Sequence, residues 1–310
     1  MQKIVPNIWC NGNAEEVGEF YASVFPTAHA EVESHYPHEG LLDFQQPLAG
    51  QPLTVGLTIA GTRLVLINAG DEFSPNPSVS FMLNFDPLLF DADEPAARAR
   101  LDEVWEALSE QGSVMMPLQE YPFSKRYGWV QDRHGVSWQL MLTDPAGDPR
   151  PFLLPALMFC GTAQNMATQA VDHYLDVFRE AGTDTELGMR VTYPAPQGPA
   201  TTDSVMFSDF RLGDQWFTAM DSGVEQDFSF TCGMSLEVNC ADQAEIDLLW
   251  GRLSAVPEAE QCGWLADFAG LSWQIVPARM AEIMQTPGAF ERMMPMKKLV
   301  IAELEGASAG

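Results

Sequence analysis

Few side chains in this chain are of a type and spacing to do chemistry. In Glu120-Tyr121-Pro122-Phe123-Ser124-Lys125-Arg126-Tyr127, two adjacent cations, a hydroxyl and two tyrosines stand together in an otherwise acidic sequence. If that loop overhangs a cavity, Ser124, Lys125, Arg126 and Tyr127 can seat an anionic group through charge-assisted bonds; otherwise it is a solvated loop. Gln139 and Gln274 sit in near-identical apolar contexts, where an amide orients a ligand without adding charge or simply bonds across a sheet. Ser80 and Asn68 complete the set of polar ligand candidates. His35-x-x-His38 is the one close histidine pair, and Tyr36-Pro37-His38-Glu39-Gly40 reads as a loop. No Ser-His-Asp or Cys-His pattern is legible, and Gly135-Val136-Ser137 belongs to a strand rather than a nucleophile elbow. No catalytic residue is assigned.

The elements that carry these residues occur twice. Gly128-Trp129-x-x-Asp132-x-x-Gly135-x-Ser137-Trp138-Gln139-Leu140 returns 135 residues later as Gly263-Trp264-x-x-Asp267-x-x-Gly270-x-Ser272-Trp273-Gln274-Ile275. Phe20-Tyr21-x-x-Val24-Phe25 matches His173-Tyr174-x-x-Val177-Phe178, and Ser80-x-x-x-Asn84 matches Ser235-x-x-x-Asn239. The spacing predicts a strand over 4–10, a helix capped by Asn13 and ended by Pro26, and strands over 29–34, 53–59 and 63–68. The order then restarts: a strand over 79–85, a helix over 94–111, and strands over 114–118, 127–131 and 136–142. Each half is thus β-α-β-β-β written twice. Residues 1–144 form a first unit, the proline-rich 145–152 a linker, 153–278 a second unit and 279–310 a Met-containing tail.

Composition narrows the partners. A net charge of −27 repels phosphate backbones and anionic lipid, so neither nucleic acid nor a membrane surface is expected. No apolar run reaches the roughly 18 residues of a membrane helix, and the start reads as a strand rather than a signal peptide. Five cysteines without a C-x-x-C pattern fit a reduced, cytoplasmic chain.

Nested β-α-β-β-β motifs resemble the glyoxalase and bleomycin-resistance fold of the vicinal oxygen chelate superfamily. The Asn11-Gly12-Asn13-Ala14-Glu15-Glu16 stretch, the repeated Gly-Trp string and Met296-Lys297-Lys298 resemble its PhnB-like branch, whose members carry the label 3-demethylubiquinone-9 3-methyltransferase. The resemblance implies an α+β fold of two tandem glyoxalase-like domains, each a pair of motifs curled into an open eight-stranded barrel around a cup. Gln139 and Gln274 would then point into cups, and Trp129, Trp138, Trp264 and Trp273 would either wall them or pack the core. Metal-dependent relatives place ligands on the first and last strands of each motif. Those places fall near Pro6, Leu66, Ser80 and Gln139 in the first half, and near Pro155, Thr218, Ser235 and Gln274 in the second. None is a histidine or carboxylate, so no metal and no cofactor are expected. A glycine-rich strand-to-helix turn of the kind that holds a methyl donor is also missing.

The first expectation is therefore a metal-free protein that binds a small molecule in the first-domain cup. The alternatives are a metal-dependent lyase or dioxygenase acting on a small oxygenated substrate, and a non-catalytic assembly module. A homodimer is compatible with any of the three.

Overall fold

The computed structural model describes residues 2–25 and 27–306. Pro26, expected to end the first helix, and the last four residues of the tail lie outside the described residues. The first motif comprises β1 (Ile4–Cys10), α1 (Ala14–Val24), β2 (His29–His35), β3 (Pro52–Ile59) and β4 (Thr62–Asn68). The second comprises β5 (Val79–Phe85), α2 (Glu94–Ser109), β6 (Ser113–Tyr121), β7 (Ser124–Gln131) and β8 (Ser137–Leu142). The third comprises β9 (Leu153–Phe159), α3 (Ala167–Glu180), β10 (Thr185–Thr192), β11 (Val205–Leu212) and β12 (Gln215–Asp221). The fourth comprises β13 (Met234–Cys240), α4 (Gln243–Leu253), β14 (Trp264–Ala266) and β15 (Ser272–Pro277). Short helices α5 (Met280–Ile283), α6 (Ala289–Met293) and α7 (Ile301–Leu304) form the tail.

The α+β class and the repeated motif order are as the sequence implies, and the sheets are open cups rather than closed barrels. The motifs, however, pair across the two halves. One seven-stranded sheet runs β14-β15-β13-β1-β4-β3-β2, joining motif four to motif one. An eight-stranded sheet runs β10-β11-β12-β9-β5-β8-β7-β6, joining motif three to motif two. Antiparallel seams between first strands close both, Asn7 facing Ser235 and Ser80 facing Ala156. There is thus no cup belonging to the first half alone. The cup beside Gln139 takes one wall from each half.

The fourth motif also forms one strand fewer than the others among the described residues. The tail lies where that strand would add, with Cys262 N and Gly263 N donating to the carbonyls of Met296 and Lys297 at 2.8 and 2.7 Å. Tail residues Ile283, Leu299 and Leu304 bury Val276 at the end of β15.

Each helix packs on its own motif's sheet, α1 also meets α2, and α3 also meets α4. One continuous apolar core therefore lies between the two sheets, and the cups face away from it. The period of two along each strand sends Ile4, Ile8, Phe81, Leu83 and Trp138 to that core and Asn7, Ser80 and Gln139 to the cups. At Gly128 the core face has no room for a side chain: a Cβ there would lie 2.5 Å from the Trp105 ring of α2. Gly128→Ala is expected to cost about 1–3 kcal/mol through overpacking, read from the shift of the urea midpoint.

The repeated string is an inter-sheet lock. Asp132 accepts from Tyr21 Oη at 2.7 Å and from Trp138 Nε1 at 2.8 Å, and also from the backbone N–H groups of His134 and Val136. Asp267 repeats this with Tyr174, Trp273, Ala269 and Leu271. Tyr21 rides on the seven-stranded sheet and Asp132 on the eight-stranded one, so the carboxylate ties one layer to the other. Burial pushes both carboxyls up, and the four donors at each pull them back.

Candidate functional site: two outward-facing cups

At the floor of the cup of motifs two and three, Gln139 Nε2 donates to Ser80 Oγ at 2.9 Å, and Tyr127 Oη donates to Gln139 Oε1 at 2.7 Å. All three side chains are buried. Trp129 stands opposite Gln139 in the strand register, and its Nε1 is buried without a hydrogen-bond partner among the described residues. Tyr127, Trp129, Met158 and Cys160 form a separate cluster here, with Met116, Tyr121, Met141, Met220 and Phe228 around it. The deep end beside Gln139 holds a cavity of only ≈ 10 Å³ between Met82, Met158, Phe207, Thr218 and Met220. A second cavity of ≈ 210 Å³, sharing Met82, Phe207 and Thr218 with the first, lies toward the mouth. Arg150 spans that mouth, bonded to Asp209 at 2.7 Å and stacked 3.9 Å from the Trp216 ring.

The remaining sequence candidates sit elsewhere. The stretch 120–127 is a hairpin between β6 and β7, and its tip residue Phe123 lines the mouth cavity. Lys125 pairs with Glu94 and Arg126 with Asp102, both on α2, so neither cation is free to seat an anion in the cup. Ser124 donates to the carbonyls of Arg126 and Leu142 at 2.9 Å each, which fixes the hairpin end. Asn68 accepts from Ala14 N at 2.8 Å and donates to the Pro52 carbonyl. It caps α1, whereas Asn13 makes no side-chain cap bond. Asp221 does the same for α3 through Ala167 N. Of the four repeated tryptophans, Trp138 and Trp273 belong to the core, while Trp129 and Trp264 share the cup faces of Gln139 and Gln274.

The strand register also corrects the places tested for metal. Pro6, Leu66 and Pro155 lie on the core-facing parity of their strands, so the cup-facing neighbours Asn7, Val65 and Ala156 take those places. A slip of one residue turns a strand's side chains to the opposite face. The two constellations become Asn7, Val65, Ser235 and Gln274 in one cup and Ala156, Thr218, Ser80 and Gln139 in the other. Neither offers an imidazole or carboxylate, so these places do not fit a divalent ion. Among the described residues, no group of three or more His, Cys, Asp or Glu is arranged to hold a metal.

The second cup, of motifs one and four, differs at its floor. Gln274 Nε2 donates to Ser235 Oγ at 3.0 Å, as Gln139 does to Ser80. Cys262 replaces the tyrosine, however, so Gln274 Oε1 accepts from no side chain among the described residues. Glu237 lies between Val5 and Gln274 in register. Asn7 and Glu237 were missed at the sequence level. A lone acid within Met234–Cys240, on the same parity as Ser235, was the available signal.

With this geometry in place, the comparisons can be set beside it. Residues 2–141 and 152–276 match the family model described as 3-demethylubiquinone-9 3-methyltransferase. The chain belongs to this PhnB-like family of the glyoxalase fold. It is similar to a Bacillus cereus protein described as a putative 3-demethylubiquinone-9 3-methyltransferase, PhnB protein, at 29% identity, covering 46% of this chain and 100% of that one with a TM-score of 0.38. A Pseudomonas aeruginosa protein matches at 24% identity over 46% of this chain and 98% of its own, with a TM-score of 0.35. Glyoxalase I from Zea mays matches at 10% identity over 91% of this chain and 93% of its own, with a TM-score of 0.48. No protein with a curated description matches.

Proposed function

We propose that this is a metal-free small-molecule-binding protein whose ligand enters the cup of motifs two and three. The observation that carries the reading is the buried, unpartnered Nε1 of Trp129 beside Gln139. A buried donor without an acceptor costs about 1–3 kcal/mol, which a ligand oxygen recovers. The surrounding methionines are unbranched and polarizable, so Met158 and Met220 can swing aside and extend the mouth cavity inward. The ligand chemistry is a compact apolar body carrying a neutral carbonyl or ether acceptor.

Methyl transfer is not part of this reading. The strand-to-helix turns after β1, β5, β9 and β13 carry at most one glycine each before the helix, and none makes the glycine-rich cradle such a donor uses. Metal-assisted chemistry finds no ligand set in either cup among the described residues. Five unpaired cysteines support a reducing compartment. Burial pushes the thiols of Cys10, Cys160 and Cys240 up to about 12, which makes them poor nucleophiles. Among the described residues no helix is long and apolar enough to cross a membrane.

Cyclohexanone, a neutral cyclic ketone, is the probe. Titration followed by the backbone amide resonances of positions 139 and 158, which survive in every variant, is expected to show saturable binding unaffected by chelator. Trp129→Phe should weaken it about tenfold, the worth of one buried hydrogen bond. Absence of saturation, or equal affinity in Trp129→Phe and Gln139→Leu, would remove the reading.

A further inference from the structure

The other cup has the opposite hydrogen-bonding character. Asn7 is 1% exposed and its Nδ2 donates to the Val5 carbonyl at 3.0 Å, while its Oδ1 is buried with no partner among the described residues. Asn7 sits opposite Ser235, diagonal to Glu237 across the β1–β13 seam. Glu237 neighbours Gln274, whose Oε1 lacks the hydroxyl donor that Tyr127 supplies in the first cup. One unpartnered amide oxygen, a second amide oxygen and a carboxyl therefore share one face of the seven-stranded sheet. The nearby cation does not answer them, because both terminal nitrogens of Arg63 are held by Glu33 in a two-point pair. Gly56 leaves the room for that pair, since a Cβ there would strike both partners. Two indoles border the group. Trp264 lies opposite Gln274, and Trp9 follows Asn7 on the same face of β1, their ring centroids 6.1 Å apart and nearly perpendicular.

We infer that the cup of motifs one and four is a binding site for an organic ammonium, its N–H donors directed to Asn7 Oδ1, Gln274 Oε1 and Glu237 and its alkyl part against Trp9 and Trp264. Acceptors that outnumber the donors facing them call for a donor-rich ligand. A carboxylate left over once Arg63 and Glu33 neutralise each other calls for a positive one, and indole faces attract cations further. The chain's net charge of −27 draws such a ligand in. This site is independent of the ketone site, being on the other sheet and of opposite polarity.

The charged groups around Glu237 are Arg63 on β4 and Glu33 on β2, with Glu31 of β2 acting on Arg63. Burial pushes Glu237 up to about 7, with Arg63 drawing it down, Glu33 raising it further and a hydrogen bond from the Asn7 side chain lowering it. Ammonium binding therefore strengthens as pH rises through about 7, when the carboxyl ionises.

The test uses the full chain with n-butylammonium, and with n-butanol and butyrate as neutral and anionic controls of the same length, followed by the indole N–H resonances of Trp9 and Trp264. Saturable binding of butylammonium alone, stronger at pH 8 than at pH 6, is expected. Glu237→Gln, which keeps the shape and removes the charge, should weaken it roughly tenfold and abolish the pH dependence. Asn7→Leu should weaken it and move the pH dependence upward, because the Asn7 side chain also helps draw the Glu237 carboxyl down. No saturation by butylammonium, equal binding of butanol, or an unchanged affinity in Glu237→Gln would overturn the assignment. A negative ketone titration would leave it standing.

Discussion

Asp132→Ala is expected to destabilise the protein by about 3–5 kcal/mol, the range for removing one partner from a buried charged network. The substitution strands the Tyr21 hydroxyl, the Trp138 indole N–H and the two backbone amides of His134 and Val136 in a dry core. Each stranded donor costs about 1–3 kcal/mol, and partial relaxation keeps the total below their sum. Asp267→Ala should cost a similar amount, because Tyr174, Trp273, Ala269 and Leu271 reproduce the arrangement. Tyr21→Phe removes one donor and leaves three, so about 1 kcal/mol is expected. Urea unfolding of the three variants measures this order. An Asp132→Ala loss under about 1 kcal/mol would show that the carboxylate is not the tie between layers. The same contacts explain why the string repeats with both its acid and its second tryptophan. Each copy must hold a helix of one sheet against a strand of the other, and only a full set of donors makes a carboxylate tolerable there.

That role was hidden in the sequence even though the string was its plainest feature. Spacing showed Asp132 six residues before Trp138, yet Tyr21, more than a hundred residues earlier, is visible only when the layers meet. Strand and helix order was legible because α1 and the hairpin strands alternate clearly. The partner of each motif was not. The first strands β1, β5, β9 and β13 are buried almost throughout, so nothing in their pattern selects one seam over another. For the same reason the faces of Pro6, Leu66 and Pro155 were read one residue out of phase. Gln139, Ser80 and Tyr127 were legible as a polar group and do meet. Lys125 and Arg126 were read as loop residues, and the hairpin sends them to α2 instead. Glu237 was passed over because Ser235 and Asn239 matched the first half and the acid between them did not. A residue that breaks an internal repeat marks the place where two copies have diverged, and here it separates a cup with saturated amides from one with open acceptors.

Glu237 should also make stability fall as pH rises. Its carboxyl ionises near 4.5 in an open chain and at about 7 in the fold, because burial in the cup outweighs the attraction of Arg63. The folded form therefore holds the proton more tightly. That contribution is complete below about 4.5 and is lost as pH rises through about 7. A difference of this size corresponds to about 3 kcal/mol, and the side of the cup open to water lowers it to about 2. Glu237→Gln keeps the neutral shape at every pH. At pH 8 the variant is expected to be about 2 kcal/mol more stable than the parent chain, and at pH 4.5 the two should be nearly equal. Urea midpoints of both proteins across this interval provide the measurement, the difference between them isolating Glu237 from the other carboxyls. A difference that stays flat with pH would mean that the carboxyl ionises as freely in the cup as in the open chain. Such a carboxylate gains little from a bound cation. The ammonium site predicts instead that butylammonium restores the parent protein's stability at pH 8 while leaving Glu237→Gln unmoved, since only a ligand that binds the folded form raises its midpoint.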